Sequence, residues 1–461
     1  MTTSGVVYPY IPNSVPEVQR EMLDSIGAAS VDELFERIPG DVRLRGPLDL
    51  PPPLLSEAEL HRCFTRILAK NATTNENISF LGGGCWNHYV PAICDEINQR
   101  SEFLTAYAGE PYEDHGRFQA LFEYTSMMAE LVDMDVVNVP TYDGAQAAAT
   151  SIRMCSRITG RRRVLVAANV HPETQAVIRN YCHPDLSPEV VPIDPKTGCV
   201  DRAALRRAAT DETAAVYVEN PSFFGTIDAS IGAIAEIVRG AGALFVVGTD
   251  PSSLGLLTPP SRLGADITCG DIQPLGMHQY FGGGRGGFIA TRDDPKFIRE
   301  YPSRLFGIAP TAKGEWGFGD VAWERTSFAD REHAKEYVGT AAALWGITAG
   351  VYLALMGPKG MRELGEGVFM RCRYLMDRMA AVPGVALPFA ATPHFKEFVV
   401  CFDGTGKTVD SINAALRDRG IFGGFRTEVT GGRECALYSV TEVLTQRDMD
   451  TCVAALRDIV A

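Results

Sequence analysis

The residues with the strongest chemical possibilities stand at the ends of short apolar runs. Asp250 closes the run LFVVGTD. In enzymes that use pyridoxal phosphate (PLP), an acid in such a place pairs with the pyridinium nitrogen and keeps it protonated. An aspartate there is equally suited to capping the next turn. YDGAQAAATS, 142–151, puts Gly144 and a series of small residues at a helix start. Backbone N–H groups and the helix dipole there could receive a phosphate, and the same composition suits a tight helix–sheet contact. His171 follows the run VLVAANV. It could stack on a cofactor ring or serve as a hydrogen-bonded structural residue. LGGGCWNHYVPAIC, 81–94, sets three glycines before Trp86, His88 and Tyr89. Glycines permit positive φ, so this loop could present an indole, an imidazole and a phenol together, or form a structural turn. FGGGRGG, 281–287, is a second glycine-rich loop. It has neither a P-loop pattern nor a dinucleotide fingerprint. One group is missing: between Lys196 and Lys296 there is no lysine to form a Schiff base.

These residues need a scaffold. From about residue 140 onward, the short apolar runs RRVLVAANV, EVVPID, TAAVYVENP, GALFVVGTD, ADITCGD and GGFIATRD alternate with helical segments. That rhythm predicts an α/β fold with a large, mostly parallel sheet, and open sheets of this kind bind ligands at the carboxyl ends of their strands. HFKEFVVCFD and CALYSVTE flank a helical VDSINAALRDRG and predict a small C-terminal α+β domain. Proline-broken helical stretches fill the N-terminal region. There SEAELHRCFTRILAKN opens with a capping-box pattern, Ser56 and Glu59. The expected organisation is an N-terminal helical arm over 1–75, a large α/β domain over 76–340, and an interface helix plus the small domain over 341–461. Arms of this type wrap a partner or a neighbouring domain.

The chain has 461 residues, a net charge of −14 and 22% charged residues. This charge argues against nucleic acid or an anionic membrane as the main partner. The N-terminus lacks the basic-then-apolar order of a signal peptide. GTAAALWGITAGVYLALMG, 339–357, is rich in small residues and reads as a buried or interface helix. Eleven cysteines fall in no CxxC or repeated spacing, which predicts reduced thiols and a cytoplasmic protein. Eight histidines form no ligand pair, so no metal is expected.

Taken in order, the segments PLDLPPPLLSEAEL, LGGGCWNHYVPAIC, FEYTSMMAELVDMDVVNVPTYDGAQAAA, VYVENPSFFG, DPSSLGLLTPPSRLGADI, GGFIATRD, VYLALMGPKG, KEFVV and SVTEVLTQRDMD resemble subunit 1 of the two-subunit glycine dehydrogenase (decarboxylating), the glycine cleavage P-protein. The resemblance runs nearly end to end. It implies the PLP-dependent aminotransferase-like fold (fold type I). It also implies an oxidoreductase that decarboxylates glycine with the PLP ring as electron sink and passes the aminomethyl group to a lipoylated H-protein. In the two-subunit form a sister subunit carries the PLP lysine within an HK pair. Aligned on the shared AD start, Gln273 and Pro274 stand opposite that pair, and a proline has no amine. PLP is therefore expected on a lysine-bearing sister subunit, in a hetero-tetramer or with a homodimer as the other arrangement. Implied contributors to the shared site are Trp86, His88, Tyr89, Tyr107, Tyr142 and Asp143, with His171 and Asp250 as vestigial or shared cofactor contacts.

Two stretches depart from the pattern. AGEPYEDHG, within 106–117, and HAKEYVGTA, 333–341, replace segments expected to face substrate or cofactor. They leave room for a paralogue with a changed substrate or PLP-independent chemistry. Lys335, in the second stretch, lies between Glu332 and Glu336 and suits an exposed ion pair better than a Schiff base.

Overall fold

The computed structural model describes residues 10–11, 14–44, 46, 48–104, 116–321, 323–336, 341–429 and 431–461. The chain divides into two compact units, Met1–Asn71 and Ala72–Ala461.

The first unit is a helical arm. Its helix α1 (Pro16–Ile26) begins with proline at the first position and ends on Gly27 at φ 71°. Both signals match the end chemistry of helices. In α2 (Glu57–Leu68) the Ser56 hydroxyl accepts from the Glu59 N–H, which realises that half of the expected capping box. Such a cap is worth about 1 kcal/mol. No described residue of the arm is buried.

The second unit opens with β1 (Ile78–Ser79), then α3 (Ala92–Asn98), α4 (Ser101–Leu104) and α5 (Gly116–Val132). The central sheet follows: β2 (Val136–Val137), β3 (Arg163–Ala167), β4 (Ser187–Val191), β5 (Thr213–Glu219), β6 (Leu244–Gly248), β7 (Ile267–Asp271) and β8 (Gly287–Thr291). Their order is β2-β8-β7-β6-β5-β3-β4. Strands β4, β3, β5, β6 and β7 run parallel, and β8 is antiparallel to both of its neighbours. The helices between them include α6 (Gly144–Thr159), α7 (Pro172–Cys182), α8 (Arg202–Ala208) and α9 (Ile231–Gly240). The runs of valine, isoleucine and alanine that read as fully buried strands are buried on both faces, with Val164, Leu165, Val246 and Ile267 in one core cluster. Helix α6 enters that core with small side chains, Ala147, Ala148 and Ala149, and so packs close to the sheet.

After α10 (Pro295–Ile298), β9 (Phe306–Pro310) and β10 (Trp316–Asp320) form an antiparallel hairpin. From Ala343 on, the apolar stretch expected as a buried or interface helix forms the start of α11 (Ala343–Ala380), which bends at Gly357–Pro358. Proline removes a helical N–H and clashes with the preceding turn, which accounts for the bend. Gly255, in the turn after β6, lies so close to α11 that a Cβ there would sit 1.9 Å from the Met361 carbonyl oxygen. Among the described residues no helix is long and apolar enough to cross a membrane. Also among them, no group of His, Cys, Asp and Glu could hold a metal.

The C-terminal strands β11 (Glu397–Val400), β13 (Phe425–Val429) and β14 (Arg433–Ser439) make an antiparallel sheet of order β11-β14-β13. With α12 (Val409–Arg417) and α13 (Gln446–Val460), β11 and β14 enclose a core of their own that includes Phe398, Leu416 and Tyr438. The short β12 (Ile421–Phe422) pairs in parallel with β1. One expectation is corrected here. Cys401 and Cys435 form a disulfide, and the other nine cysteines are free. The pairing β11–β14 places Val400 opposite Ala436. The next position along the ladder therefore brings the two cysteines together. A register between strands 34 residues apart is invisible in linear spacing.

Candidate active site, closed from within

The carboxyl ends of β5, β6 and β7 converge on one cavity. Glu219 ends β5, Asp250 follows β6 and Asp271 ends β7. His171 comes from the loop after β3, Trp86 from the glycine-rich loop, and Lys396 and Glu397 from the start of β11. This is the crevice that an open α/β sheet offers a ligand.

Lys396 dominates it. Its side chain is 2% exposed, and its Nζ lies 2.5 Å from Asp250 Oδ2. The same ammonium donates to His88 Nε2 at 2.9 Å and to Ser252 Oγ at 3.0 Å. It also sits 4.1 Å from the centre of the Trp86 ring, a cation–π contact. Three N–H groups thus have three acceptors, and the indole covers one flank of the ammonium. His88 passes the contact on: its Nδ1 is 2.8 Å from Glu442 Oε2. With Nε2 accepting from Lys396, Nδ1 carries the hydrogen and donates to Glu442. Burial would push the Asp250 carboxyl up, but the Lys396 charge and the Lys396 and Ser252 hydrogen bonds hold it below its ordinary range. Burial likewise works against the charge on Glu442, yet hydrogen bonds from His88 Nδ1 and the Tyr89 N–H hold it below its ordinary range.

Two further carboxyls face the cavity without a cation of their own. Burial pushes both Glu219 and Glu397 up to about 7. The His171 N–H and the Tyr217 hydroxyl offset part of the effect at Glu219. At Glu397 the Gly83 N–H and the Trp86 indole N–H do so, at 2.7 and 2.9 Å.

The expected residues sort into three groups. Trp86, His88, His171 and Asp250 meet in or beside this cavity. His171 does not lie free for a ring: its Nε2 is 2.8 Å from the Gly83 carbonyl and its face meets Phe223 edge-on. Burial lowers its pKa. Tyr89 and Tyr142 are outward-facing, 64% and 57% exposed, and Asp143 caps α6 by accepting from the Gln146 N–H. Tyr107 lies outside the described residues. So does most of 106–117. Glu336, in the second departing stretch, pairs with Arg157 at 2.9 Å and also with Arg153. Lys335 does not line the cavity.

Lys396, Glu219, Glu397, Ser252 and Glu442 were not singled out from the sequence. A signal existed in FKEFVVCF, where a lysine and a glutamate interrupt an otherwise apolar strand. Charges inside such a run are costly unless paired, so they mark partners to be found.

PLP does not fit the residues present. Its ring nitrogen would need Asp250, and Lys396 already holds that carboxylate. Its phosphate would need the head of α6. There the Gly144 N–H donates to Asp271 Oδ2 at 2.9 Å, and Asp271 is in turn paired with Arg285 at 2.8 Å. The aligned position of its lysine anchor holds Pro274, and the cavity's own lysine, Lys396, is engaged by Asp250. Pro274 is buried and does not line the cavity. Gln273 is buried too, and its amide clasps Trp86, accepting from the Trp86 N–H at 3.1 Å and donating to the Trp86 carbonyl at 2.9 Å. The space left is about 100 Å³, against the roughly 300–1,000 Å³ of ordinary ligand pockets.

The sheet order, the crevice at its carboxyl edge and the strand-end aspartate define a PLP fold type I scaffold. Solved structures agree on the fold: the chain matches a Burkholderia pseudomallei sphingosine-1-phosphate lyase with a TM-score of 0.64 at 17% identity, over 92% of this chain and 94% of that one. A much nearer match is a glycine decarboxylase (P-protein) of the glycine cleavage system in inhibitor-bound form. Its TM-score is 0.85 at 35% identity, covering 98% of this chain and all of the other. The family described as glycine cleavage system P-protein matches residues 9–456, and the chain belongs to that family. Among curated relatives, the chain is similar to a probable glycine dehydrogenase (decarboxylating) subunit 1 of Staphylothermus marinus, at 37% identity over 98% of both chains. It is similar to the protein of the same name from Lysinibacillus sphaericus at 39% identity, over 97% of this chain and 98% of that one.

Proposed function

We propose that this chain is the cofactor-free subunit of a two-subunit decarboxylating glycine dehydrogenase. It pairs with a lysine-bearing sister subunit that holds PLP, and the assembly acts on glycine and passes the aminomethyl group to a lipoylated H-protein. The observation that carries this reading is the filled crevice on an intact family scaffold. Full-length relatives bear the name subunit 1, yet in this chain Lys396 holds the ring-nitrogen aspartate, Asp271 occupies the head of α6, and a proline stands at the anchor position. A cytoplasmic location belongs to the same reading.

The roles of individual residues follow from where they lie. His88 and Trp86 spend their hydrogen-bonding groups inside this chain, so their part is to position β11 and the glycine-rich loop. Tyr89 and Tyr142 are exposed and carry free phenol faces. With Asp143 they are the groups this chain can lend to a sister subunit's site. The shared names of the relatives across both departing stretches favour no second substrate.

The test is co-expression with the lysine-bearing sister, followed by borohydride reduction and mass spectrometry of each chain. The expected result is a reduced PLP adduct on the sister and none on this chain, with glycine–bicarbonate exchange only when both are present. Exchange by the sister alone at the full rate would sink the proposal.

A further inference from the structure

We infer that this chain carries a built-in replacement for the cofactor: the Lys396 ammonium takes the ring-nitrogen position opposite Asp250, and the Asp271 carboxylate takes the phosphate position at the head of α6. The inference rests on the reading of this chain as the cofactor-free subunit, and it explains how such a subunit keeps its shape.

A fold built around PLP has a carboxylate waiting for a pyridinium and a helix N-terminus waiting for a phosphate. Emptied, it would hold a buried, uncompensated anion at one end and unsatisfied N–H groups at the other, both costly. Here each end is matched by a group of the right sign. Lys396 brings a cation to Asp250 at 2.5 Å. Its contact with Trp86 at 4.1 Å adds a cation–π attraction. Asp271 brings an anion to the Gly144 N–H at 2.9 Å, and Arg285 balances it. Lys396 is a non-glycine residue in left-handed backbone, at φ 65°. Left-handed backbone at a long side chain persists where surrounding contacts over-determine it. The Lys396 contacts supply that, joining β11 to the turn after β6 and to the glycine-rich loop.

It follows that deleting the Lys396 side chain should create a site. The ligand class is a small organic cation, above all a phosphate-free pyridinium ring, because Asp271 still fills the phosphate end. The experiment uses the full chain and its Lys396→Ala and Lys396→Met variants, titrated by fluorescence with pyridoxamine, with PLP and with n-butylammonium. The expected result is that Lys396→Ala binds pyridoxamine at least about tenfold tighter than the wild type, a difference of about 1.4 kcal/mol. It should prefer pyridoxamine to PLP, and n-butylammonium should compete. Lys396→Met, which keeps the bulk, should gain nothing. Lys396→Ala binding no more tightly than the wild type overturns the replacement while leaving the proposed function standing. A borohydride-trapped PLP adduct on Lys396 of the wild-type chain overturns both. Should Lys396→Ala fail to fold, that trapping decides alone: an adduct overturns the inference, and none at saturating PLP supports it.

Discussion

Three carboxyls at the site, Glu397 buried and Glu219 and Glu442 partly so, give it opposite responses to pH. Glu219 and Glu397 titrate near 7 in the folded chain, raised from 4.5. Between those values the folded state binds more protons than the unfolded chain, so their contribution is intact below pH 4.5 and falls as pH rises toward 7. Glu442 is lowered to about 2. Its contribution is intact above pH 4.5 and falls as pH drops toward 2. Each swing is of the order of 1–3 kcal/mol. Urea midpoints across pH 3–8 measure this. Glu397→Gln should flatten the decline between pH 4.5 and 7, and Glu442→Gln should flatten the acid limb. An unchanged upper limb in Glu397→Gln would show that this carboxyl does not hold the proton. At this scale the sequence was legible in part. Asp250 and His88 stand out as strand-end and loop groups. Lys396 does not, because its partners lie 308, 146 and 144 residues away along the chain.

Elements hold the site by close approach as much as by hydrogen bonds. The turn carrying Asp250 and Ser252 is pressed against α11 at Gly255. Gly255→Ala should force the two apart, costing about 1–3 kcal/mol as overpacking does and lowering Tm by about 2–4 °C. Calorimetry reads the shift, and an unaltered Tm would mean that the turn yields without resistance. Most of the central sheet was legible because its strands are continuous apolar runs closed by glycine, proline or aspartate. The β9–β10 hairpin was not: FGIAP and WGFGD alternate bulky residues with glycine and alanine rather than with polar side chains, and pairing with each other is what makes them strands. The disulfide was hidden for the same reason, since it depends on register rather than spacing.

For the whole molecule, the arm and the α/β unit differ in what they bury. Ile26, Leu50, Leu55 and Leu68 of the arm are exposed, Leu55 by 91%. On the proposed reading these side chains are the ones the arm would offer a partner. A chain beginning at residue 72 should still unfold cooperatively, yet lose co-elution with the sister subunit on size exclusion. Retained co-elution would place the interface elsewhere. The three-way filling of the crevice bears on history as well as on energy. Restoring a lysine at Pro274 would give back an anchor with nowhere to set a ring. Freeing the ring position by changing Lys396 alone would strand a buried aspartate, and reopening the phosphate end means undoing the Asp271–Arg285 pair. On the proposed reading, no one of these changes alone would reopen the crevice to a phosphorylated ring, so a chain arranged this way works only beside a sister that holds one.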